Sequence, residues 1–375
     1  MELRAEVIII GGGLAGLSSA IHLCNAGKQV VLIEKNAYPQ HKVCGEYISN
    51  EVLPYLQYLD ADPAVLSPSR ISRLQVSNLS GNSCETNLPH GGFGISRYKL
   101  DEYLHRKALA AGCTIIHDRV KDVHFRLDQF EVYTLNGIFQ AKVVLGAFGK
   151  REQLDHALDR KFVKRRSPWL AVKAHYKGVH PNDLVALHNF HGGYCGVSKV
   201  ENDIINVCYL VNYDSFKKFK NIREHQQQIL FKNLHLKRFF ENAEMNFEAP
   251  LSISQISFEV KEKVKDHVLM IGDTAGLIHP LCGNGMSMAI HAAGICASLV
   301  LDYLDNRISS RLALEKTYTQ QWNAQFKWRL QSGKILSGIL LKPEASEFVM
   351  KVLVKFPALF KPMIRMTHGS PLHMR

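Results

Sequence analysis

The sequence predicts an α/β protein in which two stretches of one nucleotide-domain pattern enclose a strand-rich insertion, and a basic helical segment follows. Three observations predict it. A buried strand, a glycine turn and a helix open the chain at residues 5–26. A second apolar strand with a glycine-rich turn returns at 268–285, and residues 168–212 between them are strand-rich.

The elements follow in order. Residues 5–10 are a buried strand, residues 14–26 have helical spacing up to the stop at Gly27, and residues 29–34 form a second buried strand. A parallel βαβ opening results. After Pro39 the pattern loosens, then residues 100–111 read as a helix ended by Gly112. Residues 114–117 and 122–135 alternate as strands, and 143–146 is another buried run. Strands are expected at 169–176, 184–190, 193–198 and 204–211, with a helical interruption at 221–242. The strand at 268–272 leads to a helix from about 286 to 304. The domain division read from this is discontinuous: 1–165 with 250–305 forms one unit, 166–249 an inserted antiparallel sheet, and 306–375 a C-terminal helical segment. Residues 60–100 belong partly to the sheet unit.

Composition supports a globular chain: 375 residues, 46% hydrophobic and 21% charged, enough for about two domains. The apolar run at 7–10 passes straight into Gly11–Gly13, so no signal peptide is expected. No uninterrupted apolar run approaches the ~18 residues of a membrane span, which places the expected location in the cytoplasm. The eight cysteines have no paired C-x-x-C spacing, so free thiols are expected, with neither a disulfide framework nor a metal site. His175, His188 and His191 lack carboxylates at ligand spacing and read as satisfied polar histidines.

The central motif is Gly11-Gly12-Gly13-Leu14-Ala15-Gly16. Gly11 permits the tight turn, Gly13 lets backbone approach a pyrophosphate, and Gly16 allows close packing of helix on strand. Glu34 ends the next strand, placed to accept from a ribose 2′-hydroxyl. This is a Rossmann-type dinucleotide site, and it does not by itself distinguish NAD from FAD.

The distinction comes from residues 271–286, Ile-Gly-Asp-Thr-Ala-Gly-Leu-Ile-His-Pro-Leu-Cys-Gly-Asn-Gly-Met. They resemble the Gly-Asp motif of the flavoprotein monooxygenase and geranylgeranyl reductase superfamily. Residues 42–49, Lys-Val-Cys-Gly-Glu-Tyr-Ile-Ser, resemble the Cys-Gly loop of its reductase-like branch. Gly94-Ile-Ser-Arg97 with Asp101 resembles that family's Arg-x-x-x-Asp helix start. The resemblance spans residues 5–300. It implies FAD in a glutathione-reductase-like domain, with Asp273 on the ribityl chain, Gly283, Asn284 and Gly285 facing the flavin, and Arg97 near the phosphates. The expected cofactor contacts are Gly11, Gly13, Leu14, Ala15, Gly16, Glu34, Lys35, Cys44, Gly45, Arg97, Val120, Gly272, Asp273, Gly283, Asn284, Gly285 and Met286. NAD(P)H is the expected electron donor.

The chain also departs from the family. Phe148 stands where an Asp-Gly motif usually has its Asp, which puts direct reduction by nicotinamide in doubt. The halogenases' Trp-x-Trp-x-Ile-Pro is absent, and Trp169 lacks those neighbours. Tyr194-Cys-Gly-Val-Ser198 stands where the reductase branch shows Trp-x-Phe-Pro. Three residues are candidates for chemistry. Cys44 is either a flavin-side thiol made reactive by Lys42 or a packing residue. Tyr194 is a substrate-pocket residue or a core tyrosine. His279 is placed for proton transfer or loop support.

From Arg311 onward, eleven Lys/Arg face three Asp/Glu, against a net charge of +12 for the chain. No nucleic-acid recognition motif accompanies them. Apolar residues at 335, 339, 341, 349, 353, 356, 359, 360 and 364 make this an amphipathic basic region, broken at Pro343, Pro357 and Pro362. It reads equally as a peripheral membrane contact or as a solvated helical pack. Three functions stay open: hydroxylation of a small lipophilic or phenolic substrate, saturation of C=C bonds in an isoprenoid or lipid, and electron transfer to a partner.

Overall fold

The unbroken apolar run Val7–Ile10 has no polar face to offer water, and all four residues sit at the centre of a parallel sheet. The computed structural model describes residues 2–373. In this sheet β17 (Val268–Met270), β9 (Ile138–Gly146), β1 (Glu2–Ile10), β2 (Val30–Glu34) and β6 (Thr114–His117) run parallel in that order. β16 (Val264–Lys265) adds an antiparallel edge. The ribbon of β7 (Val120–Arg126) and β8 (Gln129–Thr134) feeds β9. The sequence reading of continuous alternation over 122–135 is corrected here: Leu127 and Asp128 take positive φ and turn the chain into a hairpin.

Three helices share one hydrophobic core with this sheet, α1 (Leu14–Asn25) packing on its strands and touching both α3 (Arg97–Ala110) and α8 (Gly285–Leu304). Among the described residues, α8 alone is long and apolar enough to cross a membrane, and most of it is buried. Ser287, His291, Ser298 and Asp302 interrupt its apolar run, so it is not an uninterrupted apolar stretch. It is the core helix, with Ile290, Ala293, Ala297 and Val300 fully enclosed. Enclosing the two larger side chains is worth about 2 kcal/mol each.

The second sheet has nine strands. Its order is β14 (Glu244–Met245), β10 (Trp169–Lys177), β13 (Ile205–Asn212), β12 (Gly193–Lys199), β11 (Leu184–Phe190), β4 (Ser69–Ser77), β5 (Ser83–Gly94) and β3 (Tyr47–Ser49). β15 (Leu251–Ser254) also pairs with β10, so the expected boundary at 250 falls inside this sheet. The β11–β4 pair is parallel and the other pairings are antiparallel. The loosely patterned stretch after Pro39 therefore supplies three strands, with α2 (Leu53–Tyr58) among them; α4 (Gln153–Ala157) follows β9.

The expected helical interruption divides into α6 (Ile222–Gln228) and α7 (Leu234–Asn242), preceded by α5 (Tyr213–Phe216). Asn221 and Asn233 cap the two longer helices, their side chains accepting from Glu224 N and His235 N.

The C-terminal region is α9 (Arg311–Leu340), α10 (Pro343–Lys355) and α11 (Phe360–Arg365). Pro343 opens α10 and Pro357 follows its end. Pro362, expected as a break, instead lies in the first turn of α11, where no intrahelical N–H is needed. The region is pinned back by Glu51: its carboxylate accepts from Arg329 Nη1 at 2.9 Å and Gly369 N at 2.7 Å. Its carbonyl accepts from Leu372 N.

Candidate cofactor and substrate site

The glycine turn between β1 and α1 assigns a different task to each glycine. Gly11 has φ +106°, and any side chain there would press on the Ala147–Phe148 backbone. At Gly16 a Cβ would collide with the Gly11 carbonyl. Gly13 is different: the nearest atom to a Cβ would be Arg97 Nη2 at 3.7 Å, so its free side faces open space. No side chain caps α1, and its first N–H groups point into that space with the positive end of the helix dipole. Gly12 N donates to Glu34 Oε2 at 2.7 Å and fixes the carboxylate at the rim. These features fit a pyrophosphate and a ribose, the groups the resemblance implies.

One cavity of about 650 Å³ gathers most of the expected contacts. Gly11, Gly13, Leu14, Ala15, Glu34, Lys35, Cys44, Gly45, Arg97, Gly272, Asp273, Gly283, Gly285 and Met286 all line it, and so does Phe148. Arg97 is held bidentately by Asp101 at 2.6 and 2.8 Å. Lys35 pairs with Glu152.

Two loops on the cavity wall are clamped together. Lys261 Nζ donates to the carbonyls of Lys150 and Asp273, both at 2.8 Å, and Gly149 N donates to Thr274 Oγ1. Burial lowers the Lys261 ammonium to about 8.

Four expected residues are placed otherwise. Gly16 is packing, as its motif role required, and does not line the cavity. Val120 is buried at the start of β7, away from the cavity wall. Asn284 turns away from it: its amide donates to Thr367 O at 2.9 Å and fixes the C-terminal segment. His279 is walled off behind Trp169, Tyr194 and Phe258. Burial lowers its pKa to about 4, so it is neutral, and Nδ1 accepts from Leu281 N. That makes it a loop support and not a proton donor at the cavity.

Cys44 and Tyr194 do line the cavity. Cys44 Sγ lies 3.4 Å from Met286 Sδ. The Lys42 ammonium, expected to activate it, is directed to Asp101 at 2.9 Å, a carboxylate it shares with Arg97, and not to the thiol. Burial raises the Tyr194 hydroxyl well above the usual tyrosine range and pushes the Cys208 and Cys282 thiols up to about 12.

Sequence reasoning missed what holds the Cys44 loop. Glu46 is fully buried, at φ +54°. It receives Lys173 Nζ at 2.5 Å, His175 Nε2 at 2.7 Å and Arg97 N at 2.7 Å. Burial of its carboxylate works against ionisation, but Lys173 and His175 outweigh it and hold its pKa below the ordinary value. His41 also approaches Glu46 and His175, but the glutamate's oxygens are already engaged. From β13, Asn206 Nδ2 donates to Cys44 O and Gly45 O. The signal was a lysine and a histidine on an otherwise apolar strand, Trp169-Leu-Ala-Val-Lys-Ala-His-Tyr.

Beyond this loop the cavity becomes an apolar chamber. Leu74, Val76, Leu187 and Leu210 from the second sheet face Leu336, Leu340, Phe360 and Ile364 from the C-terminal helices.

Residues 6–46 match the FAD dependent oxidoreductase family. The chain is 23% identical over 337 residues to digeranylgeranylglycerophospholipid reductase 2 of Methanosphaera stadtmanae, covering 83% of each chain. It is 23% identical over 317 residues to a 1H-pyrrole-2-carbonyl-[peptidyl-carrier protein] brominase of Pseudoalteromonas luteoviolacea, covering 80% of this chain and 78% of that one. Its fold superposes on the flavin-dependent brominase Bmp2 with a TM-score of 0.81 at 20% identity, over 97% of this chain and 93% of the other. The fold and the glycine-lined groove are similar to those of FAD-dependent oxidoreductases. It is likewise similar in fold to a geranylgeranyl bacteriochlorophyll reductase-like protein of Thermoplasma acidophilum, with a TM-score of 0.68 at 18% identity over 98% of this chain and 100% of the other.

Proposed function

We propose that the chain is a monooxygenase that hydroxylates a lipophilic, electron-rich small molecule with electrons from NAD(P)H. The observation that supports this is the continuity of one cavity: a glycine-lined groove suited to FAD opens into an apolar chamber walled on one side by the C-terminal helices. Bound FAD would supply a two-electron carrier reoxidisable by O₂, one oxygen entering the substrate as hydroxyl and the other leaving as water.

Gly11, Gly13, Arg97, Glu34 and Asp273 would hold the cofactor. The chamber residues exclude water and position the substrate. Tyr194, kept protonated by burial, offers a hydrogen bond to a polar head group.

Saturation of a C=C bond is the second reading, favoured by the Cys44–Gly45 loop on the cavity wall. That reaction needs a proton as well as a hydride. With His279 walled off, Cys44 is the group placed to deliver it.

The test uses protein loaded with FAD and reduced anaerobically by dithionite, then given a lipophilic phenol or a polyprenyl lipid with and without O₂. Hydroxylation predicts product carrying one oxygen atom from isotopically labelled O₂. A gain of two hydrogens without O₂ would select the reductase. Flavin reoxidation with both substrates unchanged would sink both readings and leave electron transfer to a partner. Mixing the oxidised holoprotein with NADPH or NADH tests the donor: an unbleached flavin would refute direct reduction.

A further inference from the structure

The α10 helix carries apolar side chains on two faces, and one of them is covered. Met350 and Leu353 are buried in the same cluster as the chamber residues Leu74, Val76 and Leu187. Phe348 is 69% exposed and Val354 53%, and past the helix end Phe356 is 54% exposed and Leu359 49%. Lys351, Lys355, Lys361 and Arg365 are exposed among them, and Lys355 Nζ lies 5.7 Å over the Phe356 ring.

Between residues 342 and 366 five cations meet only Glu344 and Glu347, and Glu347 bonds Ser80 Oγ at 2.6 Å. None of the five cations joins an ion pair among the described residues. Large apolar side chains left exposed within one twelve-residue stretch mark an interaction surface. Interleaved cations select an anionic partner into which aromatic and aliphatic groups can sink. On the inner side of the same segment, Phe360, Met363 and Ile364 line the cavity.

We propose that this face seats on an anionic lipid bilayer and that the chamber receives its lipophilic substrate from that bilayer. The docking stands on the surface alone, whereas the delivery rests on the reading of the chamber given above.

The experiment is flotation of the FAD-loaded chain with vesicles of two parts phosphatidylcholine to one part phosphatidylglycerol, against phosphatidylcholine alone. Binding is expected to the anionic vesicles and to weaken with salt. K351E/K355E and F356S/L359S are each expected to weaken it on the order of tenfold or more, with flavin absorbance and melting temperature unchanged. Should F356S/L359S lower the melting temperature, the charge pair alone decides. Truncating the C-terminal helices would be uninformative, because it also removes the chamber wall. No binding, equal binding to neutral vesicles, or binding indifferent to K351E/K355E would overturn the proposal. So would a dimer dissociated by these variants in the absence of vesicle binding. If docking holds but K351E/K355E turns over substrate embedded in vesicles as fast as substrate dispersed in detergent, the delivery fails and the docking survives.

Discussion

Arg329 Nη1 donates to Glu51 Oε1 across 2.9 Å, joining the middle of α9 to the short turn before α2. Both side chains are almost wholly buried. Removing one partner strands the other charge in the core, which costs about 3–5 kcal/mol. Arg329→Met and Glu51→Gln, each of which leaves the partner's charge buried and unpaired, are therefore both expected to lower the melting temperature sharply. Small effects in thermal melts would contradict this account of how the C-terminal helices are anchored.

The glycines separate fold from cofactor binding. Gly16→Ala forces a Cβ into the Gly11 carbonyl and should prevent stable folding. Gly13→Ala has room in the protein and should leave the fold intact. It fills the side from which backbone approaches a pyrophosphate, so FAD affinity should fall at least tenfold, read by flavin titration.

Asp273 lines the cavity on a loop whose backbone is clamped by Lys261. Asp273→Ala keeps that clamp and removes only the carboxylate. Hydrogen bonds to a charged group are worth about 1.5–3 kcal/mol, so FAD should bind roughly tenfold to a hundredfold more weakly. Unchanged FAD affinity with unchanged melting would remove Asp273 from the cofactor site.

Acid should unfold the protein early. Burial lowers His22, His225, His279 and His291 to about 4 and His188 to about 3. The unfolded chain binds protons at these histidines near pH 6.5. The stability they confer is full above that pH and is lost as pH falls toward 4, by about 3 kcal/mol for each fully buried histidine. Glu46 and Asp101, whose pKa values are lowered by their cationic partners against the cost of burial, add to the loss at lower pH. Denaturant midpoints measured from pH 7.5 to 4.5 should fall steadily; a flat profile would contradict the burial of these rings.

Much of the cofactor end was readable in the sequence, because it is built from local rules. Val7–Ile10, the Gly11–Gly16 turn and Glu34 lie within one βαβ unit, and β10 to β13 announce themselves as short, largely apolar runs. What escaped is held together through space. Glu46, Lys173 and His175 come from β10 and a distant loop, and only their juxtaposition explains charges on an apolar strand. β3 to β5 are short on clear alternation because glycine, proline and polar residues interrupt them. His279 and Asn284 sit in the right motif, yet their side chains point away from the groove, a rotameric fact that spacing does not encode. The C-terminal apolar residues were legible as amphipathic, but not the division between those that wall the chamber and those left exposed.

The contact between Leu372 and Glu51 has a consequence for biosynthesis. Glu51 lies in the first sixth of the chain, and the groups that cover it arrive more than 270 residues later. During translation the first βαβ unit can form early, while the chamber stays open until α9 to α11 and the 367–372 segment have emerged. Such long-range closure is slow. Until it is complete, the apolar wall stands exposed to other nascent chains, so this protein should depend on chaperone protection late in synthesis.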